Sequence, residues 1–321
     1  MLIKIPRGWE LPESAATPHS VFLNRRALIK GLSAGPFVAA ASGALPFAGA
    51  LAADPPDPSA KFYPAKRNDA YKVDRDITSE VSASSWNNFY EYLPAAGNIT
   101  SQAQQLKVRP WEVKITGMVE KPFTLGFDDL LTKVQLEERV YRHRCVETWS
   151  MIVPWTGFQL SRLLEKVKPK AEARFVRFET VLRKDEMPGA ERLLRQGYPL
   201  PYNEGLRLDE AMNPLTLVAT GIYGKPLPKQ NGAPARLVVP WKYGYKSIKS
   251  IVKIELVAKQ PATLWETLAP DEYPFESNVD PKVPHPRWSQ AGERMIDTGE
   301  HVPTQLYNGY AEQVRHLYKK A

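Results

Sequence analysis

Val140-Tyr141-Arg142-His143-Arg144-Cys145-Val146-Glu147-Thr148-Trp149-Ser150 carries the only cysteine among 321 residues. A single cysteine excludes an intramolecular disulfide. Free cysteine is most often a small buried hydrophobe, and two chemical readings stand beside that one. Arg142, His143 and Arg144 precede the sulfur, and neighbouring cations favour thiolate over thiol. A thiolate is the soft ligand that a sulfur-rich metal site selects. Structural zinc needs four ligands, and only His143 lies close in sequence. The competing chemistry is a nucleophilic Cys–His pair.

Outward from this segment the chain reads as strands joined by short helices. Val140 leads into Cys145 as a strand. Upstream, Trp111 to Val119 alternates apolar and polar and ends in a turn signal, the pattern of a half-buried strand. Phe127 to Leu131 predicts a short helix with acidic residues in its first turn. Downstream, Trp155-Thr156-Gly157-Phe158 reads as a turn. Leu160 to Val167 reads as an amphipathic helix with Leu160, Leu163, Leu164 and Val167 on one face. Ala173 to Leu182 alternates again. Leu206 to Met212 is a helical turn, Leu215 to Thr220 a buried strand, and Ala235 to Pro240 and Ser250 to Leu256 are strands flanking Trp241 to Lys249. Beyond Trp265 the chain is rich in proline and poor in strands until a helix over Ala311 to Lys319. The 29 prolines argue against a helical bundle. The expected class is α+β with mixed, largely antiparallel strands.

The N-terminal part has a different composition. Asn24-Arg25-Arg26-Ala27-Leu28-Ile29-Lys30 precedes an uncharged stretch from Gly31 to Ala53 and then Asp54-Pro55-Pro56-Asp57-Pro58. A basic start, an apolar stretch and small residues at Ala50-Leu51-Ala52 form the layout of a removable signal. The arginine pair resembles a twin-arginine leader, although Asn24 and Leu28 stand where Ser or Thr and Phe are common. Read as a membrane anchor, the stretch is long enough, but Gly31, Gly35, Pro36, Gly43, Pro46 and Gly49 make a poor spanning helix. The expected organisation is a leader over 1–53, a charged arm or linker over 54–84, and a catalytic domain over 85–321. Such a leader implies export of an already folded protein to the periplasm, and raises the prior for a complex cofactor. The formal net charge is +8, partly from Lys4, Arg7, Arg25, Arg26 and Lys30. Without a basic run or a nucleic-acid motif, nucleic acid is not an expected partner.

Four segments join these readings: Asn87-Asn88-Phe89-Tyr90-Glu91, Arg144-Cys145-Val146-Glu147, Gln230-Asn231-Gly232-Ala233-Pro234-Ala235-Arg236, and Trp241-Lys242-Tyr243-Gly244-Tyr245-Lys246-Ser247-Ile248-Lys249. In this order they resemble the oxidoreductase molybdopterin-binding domain of the sulfite-oxidase fold. Within that family the likeness is greatest to the catalytic subunits of periplasmic protein-methionine-sulfoxide reductases, and it extends to His285-Pro286-Arg287-Trp288-Ser289-Gln290 and Tyr307-Asn308-Gly309-Tyr310-Ala311. The resemblance implies Mo-molybdopterin as cofactor, with Cys145 as the metal ligand and catalytic residue. It also implies pterin contacts from Asn87, Tyr90, Glu91, Thr180, Asn231, Arg236, Ser247, Ile248 and Lys249. Many relatives have Gly where Ser247 stands, a change that backbone N–H contacts survive.

The pterin's own chemistry suits these residues. Its phosphate needs cations and N–H donors, such as Arg236, Lys249 and the backbone near Ser247. Its head presents amide-like edges that Asn, Thr and backbone groups match. Lys246 is read as part of a solvated charged face, and an outward-facing ion pair is the alternative for Arg236. The implied activity is oxygen-atom transfer from methionine sulfoxide in oxidised periplasmic proteins. Electrons would come from a membrane-bound, haem-containing, quinone-linked subunit. His143 and Tyr243 are candidates for proton delivery, and Tyr and Trp residues suit the rim of an accessible cleft. The rivals are a sulfite-oxidising enzyme of the same fold, which would want several converging arginines for a dianion, a non-catalytic periplasmic binding protein, and a Cys–His hydrolase.

Overall fold

Alternating burial builds the first sheet. In β1 (Glu112–Gly117) Val113 and Ile115 are buried while Glu112 and Lys114 face solvent, and in β5 (Phe175–Thr180) Val176, Phe178 and Thr180 are the buried set. The sheet has the order β2 (Phe123–Gly126), β1, β10 (Ile251–Val257), β5 and β6 (Asn203–Arg207). β1 and β10 run parallel, and the remaining pairs are antiparallel. A second sheet has the order β12 (His301–Pro303), β11 (Gly292–Met295), β4 (Trp149–Gln159), β7 (Leu217–Ile222) and β8 (Lys225–Pro226). Here β3 (Glu137–Arg144) pairs with β4, and β9 (Arg236–Val238) with β7. Only β11 with β4 is parallel in this sheet among the described residues. The expected mixed, largely antiparallel α+β architecture is what the chain adopts. The computed structural model describes residues 57–93 and 99–318. The leader expected over 1–53 lies outside the described residues, as do 54–56 of the arm and Lys319 of the predicted last helix.

Helices among the described residues are short: α1 (Glu80–Ser85), α2 (Ile99–Ala103), α3 (Phe127–Lys133), α4 (Leu160–Val167), α5 (Ala190–Arg195), α6 (Leu208–Met212), α7 (Leu264–Leu268) and α8 (Ala311–Val314). None is long and apolar enough to cross a membrane. The predicted face of α4 is the buried one, and each of its four apolar side chains contributes about 2 kcal/mol. The helix stops where Lys168 turns left-handed at φ 49°.

Four readings of the sequence need correction. Trp155 to Phe158 is no turn but the end of β4, buried along almost its whole length. The glycine that suggested a turn serves a bulge in the β4–β7 pairing between Thr156 and Gly157. A Cβ there would lie 2.1 Å from the Val218 carbonyl oxygen, so the backbones approach only because Gly157 has none. Leu206 and Arg207 belong to β6, and α6 starts at Leu208. The segment after Trp265 supplies β11 and β12, and α8 is shorter than expected, giving way to a 3-10 turn at Arg315–Tyr318. The arm over 57–79 is packed rather than free. The Tyr63 hydroxyl donates to Thr220 O at 2.7 Å, and Arg67 pairs with Glu138 at 2.7 Å. Thr78 fills the stretch of β4 left open between β11 and β7: its N–H donates to Ile152 O at 3.0 Å, and its hydroxyl oxygen accepts from Ile152 N–H at 2.9 Å.

Candidate active site

Cys145 sits where β3 turns back into β4. The turn closes through Cys145 N–H to Trp149 O at 2.9 Å and Thr148 N–H to Cys145 O at 3.1 Å. Because side chains alternate along a strand, His143 and Cys145 share one side and line one cavity. Arg142 and Arg144 do not line it. Arg142 pairs with Asp74; Arg144 is buried against Glu293 at 3.2 Å and donates to the Cys145 carbonyl.

This geometry overturns the expectation that the flanking cations would hold Cys145 as a thiolate. Burial pushes the thiol up to about 12, and the Glu147 carboxylate pushes in the same direction. The Glu147 N–H, 3.5 Å from Sγ, and the more distant Arg144 and Lys249 only partly oppose them. Asn88 Nδ2 lies 3.9 Å from Sγ and donates to Glu147 Oε2 at 3.0 Å. The sulfur is therefore a buried soft donor that needs a strong cation to ionise it. Among the described residues no cluster of three His, Cys, Asp or Glu side chains could hold a metal, so Cys145 would have to share one with ligands from a cofactor.

Of the ten residues expected at the site, nine line this cavity: Asn87, Tyr90, Glu91, Cys145, Thr180, Asn231, Arg236, Ser247 and Lys249. They arrive from separate places. Asn87 follows α1, Tyr90 and Glu91 lie in a 3-10 turn, Thr180 ends β5, Asn231 ends a second 3-10 turn, and Arg236 begins β9. Ile248 is the exception, since its side chain is buried in the apolar core and its carbonyl accepts from Leu237 N–H. The Ser247 N–H is also committed, donating to Gly244 O at 3.1 Å. The Ser247 side-chain oxygen accepts from Val239 N–H, and Thr180 donates its hydroxyl to Lys249 O at 2.8 Å.

The polar groups fit a long ligand with an amide-like head and an anionic end. Both polar atoms of the Asn87 amide are buried and unpartnered, and so is Asn231 Oδ1. Asn231 Nδ2 is anchored on Ala83 O at 3.0 Å, which leaves that oxygen free to accept from a ligand. Arg236 is buried over the Trp155 ring and its hydrogen bonds go to carbonyls, those of Leu237, Asn231 and Ser247. Burial lowers its pKa to about 9, so it remains a cation at neutral pH. Lys249 donates to Asn88 O at 2.9 Å; burial, then the Arg236 charge, holds its pKa below the ordinary lysine range, while Glu91 opposes them. A buried arginine and a buried lysine beside unpartnered amides form a site for a phosphate-bearing polar group. The outward-facing ion pair considered for Arg236 does not occur. Lys246, expected on a solvated face, is buried and paired with Glu204 at 2.7 Å.

Burial and the nearby Arg236 and Lys249 charges lower the pKa of His143 to about 3, so the ring is neutral at physiological pH. The backbone at Gly244 passes so close that a Cβ there would lie 2.6 Å from His143 Nε2. Tyr243, the other candidate for proton delivery, does not line the cavity. Tyr and Trp residues were expected at the rim without assigned positions, and the cavity wall carries Trp86, Trp149, Tyr202, Trp265 and Tyr273. Tyr90 and Tyr273 pack on Trp265 at 5.5 and 5.1 Å between ring centres. No local pattern marks Trp265 or Tyr273, which reach the site from beyond the last long strand. Asn88 and Glu147 stood inside the quoted motifs and were identifiable from their place beside Asn87 and Cys145.

A model of the oxidoreductase molybdopterin-binding domain matches residues 100–265, just over half of the chain. The match contains Cys145, Thr180, Asn231, Arg236 and the 247–249 triplet, whereas Asn87, Tyr90 and Glu91 precede it. Among solved structures, the chain is similar to the sulfane dehydrogenase SoxCD from Paracoccus pantotrophus at 21% identity and a TM-score of 0.40. That similarity covers 48% of this chain and 40% of the other, so this chain spans well under two thirds of its length.

Proposed function

This chain belongs to the oxidoreductase molybdopterin-binding domain family, and from that premise we propose that it reduces methionine sulfoxide residues in proteins. Its cofactor is Mo-molybdopterin. When bound, that cofactor supplies two-electron oxygen-atom transfer, chemistry that converts a sulfoxide to a thioether.

The protein's part is position, charge and access. Cys145 would offer its sulfur to the metal from a turn in which Glu147 N–H already points at Sγ. Asn87 and Asn231 would hydrogen-bond the pterin head with the amide atoms that lack partners. Arg236 and Lys249 would neutralise the phosphate. Tyr90, Glu91, Thr180 and Ser247 line the same cavity. Trp86 is 41% exposed and with Trp265 offers the aromatic surface that a methionine-type sulfur favours.

One observation carries the choice of substrate. Arg142 and Arg144 are turned to Asp74 and Glu293, the carboxylate within 4 Å of the sulfur is that of Glu147, and the cavity's basic side chains, Arg236 and Lys249, are those assigned to the pterin phosphate. Sulfite is an anion and would meet repulsion there, whereas a sulfoxide is neutral and meets none. Proposed with this reading are export to the periplasm by the twin-arginine leader, oxidised periplasmic proteins as substrates, and electrons from a membrane-bound haem subunit linked to quinone.

Metal content, together with turnover of methionine sulfoxide and of sulfite, tests the proposal on wild type and Cys145→Ser. Stoichiometric molybdenum and sulfoxide reduction are expected for wild type, with turnover lost in Cys145→Ser. Oxidation of sulfite with no action on sulfoxide would replace this reading by the sulfite-oxidising one. Absence of molybdenum would remove both.

A further inference from the structure

We propose that Trp288 and Gln290, which lie outside the matched domain, are positioning residues for the Cys145 turn. The turn is conformationally unusual, because Thr148 has φ 68°. A β-branched residue rarely adopts the left-handed region, and it persists there only where the surroundings impose it. Those surroundings are the segment leading into β11. Trp288 Nε1 and Gln290 Nε2 each donate to the Val146 carbonyl at 2.8 Å. Gln290 Oε1 in turn accepts from Arg144 Nη2 at 2.8 Å, and Arg144 Nη1 donates to the Cys145 carbonyl. Arg294 N–H donates to Thr148 O at 2.8 Å. The carbonyls of Cys145, Val146 and Thr148 are thus all held, the first through Arg144 and the other two by the segment entering β11.

The donors are themselves fixed. The Trp288 ring stacks on His285 with 3.8 Å between ring centres and 7° between planes, and Gln290 is 1% exposed. Neither side chain lines the cavity, so both act through the turn and not on a ligand. With the Val146 carbonyl pinned, the peptide that follows it presents Glu147 N–H to Sγ. Releasing that carbonyl lets the turn relax toward a less strained Thr148 and takes the sulfur with it.

The inference rests on the proposed role of Cys145 as metal ligand, and its test separates the two. Trp288→Phe keeps the ring and removes its N–H; Gln290→Glu keeps an oxygen for Arg144 and removes the amide donor. Amide hydrogen exchange of Cys145 and Thr148, measured on the full chain as purified, should quicken about tenfold in each variant, the weight of one buried hydrogen bond. In the molybdenum-loaded protein the Mo(V) paramagnetic resonance signal should shift or broaden at unchanged metal content, with kcat falling while KM holds. Val283→Ser, at an exposed position, should change neither. Exchange within twofold of wild type in the variants, singly or combined, would overturn the proposal. So would faster exchange with an unaltered Mo(V) signal, since the turn would then be stabilised without the sulfur being positioned. If one variant fails to fold, the other decides. If wild type holds no molybdenum, the functional reading fails while exchange still decides whether these side chains hold the turn.

Discussion

Replacing Lys246 by Met isolates a charge that the fold has buried with a single carboxylate, over the Phe275 ring. Lys246 Nζ lies 2.7 Å from Glu204 Oε2, and both side chains are 1% exposed. Methionine roughly preserves the volume of the lysine stem and removes the cation. Glu204 would then keep the Tyr202 hydroxyl at 3.3 Å and the Gly205 N–H at 3.2 Å. Burial already raises the Glu204 pKa above the ordinary carboxylate range, and Lys246 is the largest influence pulling it down. Leaving one member of a buried pair costs about 3–5 kcal/mol. At about 2–4 °C per kcal/mol for a domain of this size, the unfolding midpoint should fall by about 10 °C. The sign with pH follows from the raised pKa. A carboxyl that protonates more readily when folded carries its penalty above its folded pKa and none below its unfolded one. The deficit should therefore be large at pH 8 and shrink toward pH 4. Glu204→Gln combined with Lys246→Met should recover most of the loss, because no ion remains buried. Thermal unfolding followed by tryptophan fluorescence at both pH values reads all three proteins. A single variant within about 1 kcal/mol of wild type, or a deficit independent of pH, would refute the reasoning.

Three further outcomes follow from the site and its supports. Gly244→Ala would place a Cβ 2.6 Å from His143 Nε2, where Trp149 and Trp155 limit the ring's retreat; overpacking of about 1–3 kcal/mol and lower molybdenum retention are expected, read by thermal unfolding and elemental analysis. Lys249 binds fewer protons folded than unfolded, because burial and Arg236 lower its pKa, so the cofactor-free protein should gain stability as pH rises from the folded pKa toward the unfolded value of about 10.4. Lys249→Met should flatten that slope in urea titrations while weakening cofactor retention. Thr78→Val keeps the shape of the side chain but orphans the buried Ile152 N–H, a loss of about 1–3 kcal/mol that chemical denaturation would measure.

Local pattern made much of this fold legible. The alternation in β1 and β5 and the apolar face of α4 concern neighbours on one element, and each appears where the sequence placed it. β4 was not legible as a strand from the sequence, because a strand buried on both faces has no alternation and Gly157 imitates a turn signal. The Lys246–Glu204 pair joins residues from different elements, so nothing around Lys246 distinguishes a buried lysine from a solvated one. The same holds for Thr78, whose role depends on a gap between two strands that meet it only in the folded protein. At the site, one of the turns that bring the motif residues together is fixed by a glycine. Gly232, at φ 99°, allows Lys249 to pack where a Cβ would meet its side chain at 2.7 Å.

The orientation of Arg142 and Arg144 belongs to a third category, since it followed from the strand reading once that reading was taken to its consequence. A strand that delivers Cys145 to a cavity brings His143 with it and sends residues 142 and 144 to the opposite side. Register with β4, Arg142 against Ile152 and Arg144 against Ser150, holds that parity. A one-residue slip would turn the whole strand over, carrying Arg144 toward the cavity and the sulfur out of it. The contacts of the arginines with the exposed Asp74 and the buried Glu293 therefore do more than neutralise charge. They keep two cations out of the cavity and leave Glu147 beside the sulfur, the arrangement on which the proposed preference for a neutral sulfoxide rests.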